Sequence, residues 1–348
     1  MTSPPSVPVT VIGAGIFGLA CAFALIRRGA PVRVIEARHV GAGSSGGHVG
    51  ALAPHAPDNW NPKKALQLDS LLAATPFWAA VEAASGLPSG YGRTGRLQPI
   101  PDMATADRMA DRIGAAARNW PAPLTMGLTD SPSGPLIPDS PTGLWLLDSL
   151  TARLNPRAAC ASLAAAIRAL GGEITEGQPV QGDIPGPALW ATGAEGLEVL
   201  GQDLGRRIGQ GVKGQSLLLD FAAPDQPQVF ADGLHIVPHA DGTTAIGSTS
   251  ENSYDHDRPD DQADALLTRA RAICPALADA PVLDIWAGIR PRARSRAPLL
   301  APWPGRPGHV IANGGFKIGF GMAPLIADRA ARLILDGDTD LPPLFALP

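Results

Sequence analysis

Residues Gly13-Ala14-Gly15-Ile16-Phe17-Gly18 spell GxGxxG between an apolar tetrad, Val9-Thr10-Val11-Ile12, and an apolar segment from Ile16 to Arg28 that Gly29 stops. The tetrad reads as a buried strand and the longer segment as a helix. Val32-Arg33-Val34-Ile35 reads as a second buried strand and ends at Glu36, which lies 36 − 18 = 18 residues past the third glycine. Two such strands joined by a helix must be parallel, with a right-handed crossover. Gly13 permits a tight turn, Gly15 lets backbone approach a pyrophosphate, and Gly18 lets helix and strand pack closely. Phosphates would then sit on unpaired N–H groups at the helix N-terminus. The Glu36 carboxylate can accept two ribose hydroxyls and would repel a 2′-phosphate. The other reading of the loop is a glycine turn packed for structural reasons alone.

Val9 to Ile26 holds no charged residue and could pass for a membrane span. Three glycines interrupt it and no cation precedes it, so strand, turn and helix is the better parse and no membrane is expected. A chain of 348 residues is long enough for two domains, and 45% hydrophobic residues suffice for a large core. A net charge of −4 argues against a nucleic-acid partner. Cys21, Cys160 and Cys274 are widely separated and form no CxxC, so neither disulfides nor a metal site is expected and a cytoplasmic location fits.

Helices are expected over Lys64–Ala84, Ala104–Asn119, Pro156–Leu170, Asp261–Ile273 and Ala323–Leu335. Gln215–Phe221, Gly233–Pro238 and Thr243–Thr249 alternate like antiparallel strands. Further strands are expected at Tyr91–Ile100, Glu173–Thr175, Val282–Arg290 and His309–Asn313, and the proline-rich 121–143 as loop. Ala188 to Gly193 reads as a second nucleotide-type strand far downstream. A nucleotide domain split in this way favours FAD over NAD, whose enzymes usually keep theirs contiguous.

Several segments together resemble the FAD-dependent D-amino-acid oxidase superfamily, closest to glycine oxidase and sarcosine-oxidase-like members. VTVIGAGIFGLACAFALIRRG with VIEA resembles its N-terminal fingerprint, and GAGSSGGHVGALAP its Ser-rich loop. NPRAACASLAAAIRALGGEI, LWATGA, VKGQSLLL, LHIVPHADGTTAIGST, WAGIRPRARSRAPLL and NGGFKIGFGMAP follow like its later landmarks, in order. The resemblance implies an α/β fold, α+β overall. It comprises a glutathione-reductase-like Rossmann FAD domain (1–85, 145–210 and 290–348) and an interleaved antiparallel-sheet substrate domain (86–144 and 211–289). It implies non-covalent FAD. Cofactor contacts would come from Gly13, Gly15, Ile16, Phe17, Gly18, Glu36, Ala37, Gly43, Ser44, Ser45, Gly47 and His48. Val180, Ala191, Thr192, Gly193, Arg290, Gly315, Phe316, Lys317, Ile318, Gly319 and Phe320 would complete the set.

The resemblance further implies oxidation of the C–N bond of a small amino acid or secondary amine by hydride transfer to the flavin. Oxygen is the expected electron acceptor, giving peroxide. Arg290 is the expected carboxylate clamp, since a guanidinium fork matches a carboxylate. The other reading makes Arg290, Arg292, Arg294 and Arg296 one solvated cationic strand edge. Lys317 would contact carboxylate or flavin, or be a surface lysine. His48 and His235 would line the pocket, or be structural. Gly319-Phe320-Gly321-Met322 would aim a helix N-terminus at the flavin, or form a plain turn.

Departures from the family pattern weigh against a simple glycine or D-alanine substrate. Gln181 to Pro187 is short. Lys317 replaces an Arg, His235 a Tyr, and Gly315 a His. Alternatives of other kinds are a dehydrogenase of amino or 2-hydroxy acids with a non-oxygen acceptor, a tRNA-modifying flavin oxidase, and a flavin-binding protein without catalysis.

Overall fold

The structure, a computed structural model, describes residues 7–180, 182 and 184–348; Gln181 and Asp183 of the short connection lie outside them. β1 (Val9–Ile12), α1 (Ile16–Arg27) and β2 (Val32–Ile35) form the βαβ unit, with β1 and β2 parallel from Val9↔Val32 to Ile12↔Ile35. After β3 (Ala51–Leu52), α2 (Pro62–Ser85) starts where the Asn61 side chain accepts the Lys64 N–H at 3.2 Å, and ends at Gly86 with φ 68°. An Asn cap, Pro at the first turn and a left-handed glycine are the expected punctuation of a helix.

β4 (Arg96–Pro99), α3 (Met103–Asn119), β5 (Met126–Thr129), β6 (Trp145–Asp148) and β7 (Ala152–Arg153) follow. Then come α4 (Pro156–Ala169), β8 (Glu173–Thr175), β9 (Ala188–Trp190) and α5 (Gly193–Asp203). β10 (Gly209–Leu219), β11 (Gln228–Ala231), β12 (Leu234–Pro238), β13 (Thr244–Gly247), α6 (Gln262–Ile273) and β14 (Val282–Ala293) lead to β15 (Leu299–Pro302), β16 (His309–Asn313) and α7 (Gly319–Asp336).

The strands assemble into two large sheets. A six-stranded sheet runs β15-β16-β9-β1-β2-β8, parallel except at its β15 edge. β9 sits directly beside β1, with Thr10 opposite Ala188, so the distant LWATGA segment completes the nucleotide-type sheet. β1 is buried on both faces, as covered parallel strands are, which explains why it carries no charged residue. Phe23, Leu71, Trp78, Leu163 and Ile326 join α1, α2, α4 and α7 in its core.

The eight-stranded sheet runs β14-β10-β13-β12-β11-β4-β6-β5 and is antiparallel apart from β11–β4. It takes in β6 near one edge and β14 at the other. Its apolar side packs on α6 through Leu217, Ile236, Ile246 and Leu266.

Two strands fall outside the expected set, and two expectations need correction. Residues 121–143 are mostly loop but include Met126–Thr129, which pairs with β6 as an edge strand. β11 was not anticipated, since its four residues show no clear alternation. The last helix begins at Gly319, four residues early, and carries Pro324 in its second turn, where one backbone donor is lost. The arginine series does not share one strand face. β14 stops at Ala293, and Arg294 to Arg296 form a turn in which Arg296 has φ 56°.

Candidate active site

A cavity of about 900 Å³ runs from the GxGxxG turn to the eight-stranded sheet. At its nucleotide end Gly13 has φ +100°, and its N–H donates to the Ile35 carbonyl at 2.8 Å. A Cβ on Gly18 would fall on the Gly13 carbonyl. Gly18 therefore serves close packing and, alone of the expected cofactor residues, does not line the cavity. Ser45 Oγ accepts the Ile16 N–H at 2.9 Å and ties the serine loop to the start of α1.

Glu36 accepts the Ala14 N–H at 2.7 Å and the Arg38 N–H at 2.9 Å. Each oxygen keeps acceptor capacity for a hydroxyl. Ala37, Gly43, Ser44, Gly47, Val180, Ala191, Thr192 and Gly193 continue the wall.

Further along, Gly315, Phe316, Lys317, Ile318, Gly319 and Phe320 line the cavity at the start of α7. The first turn of α7 has no side-chain cap, so its orphan N–H groups and positive dipole end are available there. Phe316 holds φ 42°, unusual for a bulky residue, and its N–H donates to the Pro291 carbonyl at 3.0 Å. Arg292 and Lys317 stand 5.6 Å and 6.0 Å from its ring centroid.

The opposite wall comes from the second sheet. Arg290 on β14 is buried, and both of its Nη groups donate to the Thr249 carbonyl at 3.2 Å. Burial lowers its pKa to about 10 against the opposing pull of Glu251. Lys317 is also held below the usual lysine value, first by burial and then by Arg290. Among the described residues neither cation has a carboxylate at ion-pair distance. A buried knot supports this wall from behind: Lys213 pairs with Asp260 at 2.5 Å and Glu251 at 3.5 Å.

The two histidines differ. His48 Nε2 donates to Asp284 Oδ2 at 3.1 Å, and Nδ1 accepts from Ser216 Oγ at 3.2 Å. Both nitrogens are engaged, so the His48 ring ties the loop to the sheet and offers none to a substrate. Its pKa lies below the usual value, through burial and then Arg157, against the pull of Asp284. His235 lines the cavity, stacked on Phe230 at 4.6 Å, and burial with the charges of Arg96 and Lys317 pushes its pKa down to about 3.

Trp286, Arg96 and Phe230 are among the lining residues that escaped the sequence reading. Trp286 was within reach, because it lies four residues before Arg290 on one strand and therefore on the same face. A Cβ on Gly47 would come 2.9 Å from its indole, which explains the glycine. Arg96 carries no such signal; it arrives from β4, five strands across the sheet, and pairs with Asp148 at 2.9 Å.

The sequence profile described as FAD dependent oxidoreductase matches residues 8–333. The chain belongs to this family. The family's cofactor fits the residues present. The turn at Gly13 excludes side chains, Glu36 offers acceptors, and α7 points an uncapped N-terminus into the same cavity. Cys21, Cys160 and Cys274 are buried, and none lines it.

The bifunctional protein ThiO/ThiG of Nostoc sp. is 28% identical over 357 residues, 95% of this chain and 53% of that protein. The chain thus spans about half the length of the first curated relatives it matches. The glycine oxidase of Geobacillus kaustophilus is 27% identical over 362 residues, 96% of this chain and 95% of its own. The crystal structure of glycine oxidase from Geobacillus kaustophilus superposes with a TM-score of 0.84 at 24% identity, covering 98% of each chain, a likeness of fold. Among the described residues no helix is long and apolar enough to cross a membrane, and no group of three or more potential ligands could hold a metal.

Proposed function

We propose that the protein oxidises the carbon–nitrogen bond of a small amino acid or secondary amine that carries a carboxylate. One observation carries the reading: Arg290 is 7% exposed, faces the family's cofactor cavity, and meets a backbone carbonyl rather than a carboxylate. Burying a guanidinium without an anion is costly. A substrate carboxylate supplies that anion in the bidentate geometry an Arg favours. Lys317 adds a second positive charge on the same side of the cavity.

FAD, when bound, would accept the hydride of the substrate α-C–H bond, leaving the nitrogen lone pair to form C=N. The chain's own part is orientation. Arg290 fixes one end of the substrate, the sheet wall excludes water, and the positive end of the α7 dipole would favour negative charge on a cofactor held in the cavity. Water hydrolyses the released imine. Molecular oxygen is the proposed final acceptor, and FAD is held without a covalent bond.

Anaerobic mixing of the yellow holoenzyme with amines and 2-hydroxy acids tests the reading. Loss of flavin absorbance is expected with amino-acid or N-alkylglycine substrates, followed on aeration by oxygen uptake and peroxide. Bleaching by 2-hydroxy acids alone would overturn it. Reduction by amines without oxygen uptake would overturn only the acceptor.

A further inference from the structure

His235 has one nitrogen accounted for. Gln228 Nε2 donates to the Ala152 carbonyl at 3.0 Å, which orients the amide with Oε1 toward His235. His235 Nδ1 lies 3.1 Å from that oxygen. An amide oxygen only accepts, so Nδ1 carries the proton and Nε2 carries a bare lone pair. Nδ1 and Nε2 lie on opposite sides of the ring, and the ring lines the cavity beside Arg96, Phe230 and Lys317.

The charged groups facing the ring are Arg96, with its partner Asp148, and Lys317. Burial and the two cations keep the ring neutral. A neutral, Nδ1-protonated imidazole can only accept on its other side. A carboxylate would be repelled there, and an N–H donor would be welcomed. The cations also disfavour an ammonium and so favour the neutral amine, whose nitrogen can form C=N.

We infer that His235 Nε2 accepts a hydrogen bond from the N–H of the substrate amine, with Gln228 as the positioning residue that holds the accepting tautomer. The inference rests on the amine-oxidation reading and adds an orientation to it: carboxylate toward Arg290, amine hydrogen toward His235. It also selects among amines. A neutral secondary amine keeps one N–H, and a neutral tertiary amine has none.

The test compares anaerobic flavin reduction of the holoenzyme by N-methylglycine and N,N-dimethylglycine. Wild type is expected to favour the secondary amine, and His235→Leu to reduce that preference about fivefold, the worth of one neutral hydrogen bond. Gln228→Glu places a carboxylate at Nδ1, draws a second proton onto the ring and raises its pKa. Below that pKa Nε2 becomes a donor, so the variant should gain an acid limb that wild type, limited only by deprotonation of the substrate ammonium, does not show: reduction by N-methylglycine slower than wild type at low pH and recovering as pH rises. A purely structural Gln228 would produce no such limb. Nitrogen-15 shifts of the His235 ring in the wild-type holoenzyme should show the Nδ1–H tautomer from pH 8 down to about 5, far above the depressed pKa.

An unchanged preference in His235→Leu that retains its FAD would overturn the inference, as would a ring protonated at Nε2. Should His235→Leu fail to hold FAD, an absent acid limb in Gln228→Glu does the same. A wild-type flavin that no amine reduces overturns the amine-oxidation reading instead.

Discussion

The guanidinium of Arg290 occupies the space that a Cβ on Gly214 would need. Gly214 lies opposite Gly288 in the β10–β14 register, two residues from the position facing Arg290, and the long side chain folds back across it. The smallest residue on one strand therefore sets the place of the largest cation on its neighbour. Gly214→Ala should displace the guanidinium without unfolding the sheet, because the obstructing atoms end a flexible side chain. FAD content should stay at wild-type level, while KM for carboxylate substrates rises about tenfold to a hundredfold. Steady-state kinetics against a matched ester would separate misplacement from general damage.

Direct replacement is more severe. Arg290→Ala should cost about 2–5 kcal/mol of transition-state binding for carboxylate substrates, and Arg290→Lys should fall between it and wild type. Both should retain FAD. Single-turnover flavin reduction rates supply the measurement. Wild-type rates in the Ala variant would remove Arg290 from the site and shift suspicion to Lys317.

For the cofactor, Glu36→Gln should weaken FAD binding by about 1–3 kcal/mol, as for a lost charge-assisted hydrogen bond. The Ala14 and Arg38 N–H groups that Glu36 accepts would also lose a charged partner. Fluorescence titration of apoprotein with FAD gives the two dissociation constants. Acid precipitation of wild type should leave all yellow colour in the supernatant, and colour in the pellet would contradict the non-covalent assignment.

Arg96 and Asp148 form a buried pair at 2.9 Å, with Asp148 fully enclosed and also accepting the Thr151 N–H at 2.9 Å. Asp148→Asn leaves the guanidinium buried without its charge partner and should destabilise the fold by about 3–5 kcal/mol. Urea unfolding with an unchanged m-value would identify this as a stability effect.

His239 supplies the pH prediction. Its Nε2 donates to the His48 carbonyl at 3.0 Å, and its Nδ1 is buried without a partner among the described residues. Burial pushes its pKa down to about 4, against the pull of Asp241. Between about pH 6.5 and 4 the unfolded chain binds a proton that the folded one refuses, so stability falls as pH falls through that window. The contribution is about 3 kcal/mol across it, and His239→Gln should flatten that part of the curve in thermal melts.

The dinucleotide unit was legible in the chain because its instructions are local. Gly13, Gly15 and Gly18 state where backbone must turn or touch, and a strand buried on both faces declares itself as Val9-Thr10-Val11-Ile12. Glu36 was readable for the same reason, since the end of β2 lies a fixed distance beyond the loop. Arg290 and Lys317 came from resemblance to a family, and β11 and β5 lack the clear alternation or apolar run that marks a strand.

What lay beyond the sequence was everything set by non-local contact. His48 and His235 are alike as letters. Only the fold brings Ser216 and Asp284 to the two nitrogens of one, and Gln228, Arg96 and Lys317 around the other. Arg96 reaches the cavity because β4 joins β11 in parallel, a pairing that no periodicity encodes. The amino-acid order by itself determined the nucleotide turn, the split sheet and the cofactor, each written in spacing along the chain. The tertiary structure alone decided which ionisable groups lose water and which acquire partners, because desolvation and pairing depend on distances in space between residues far apart in sequence.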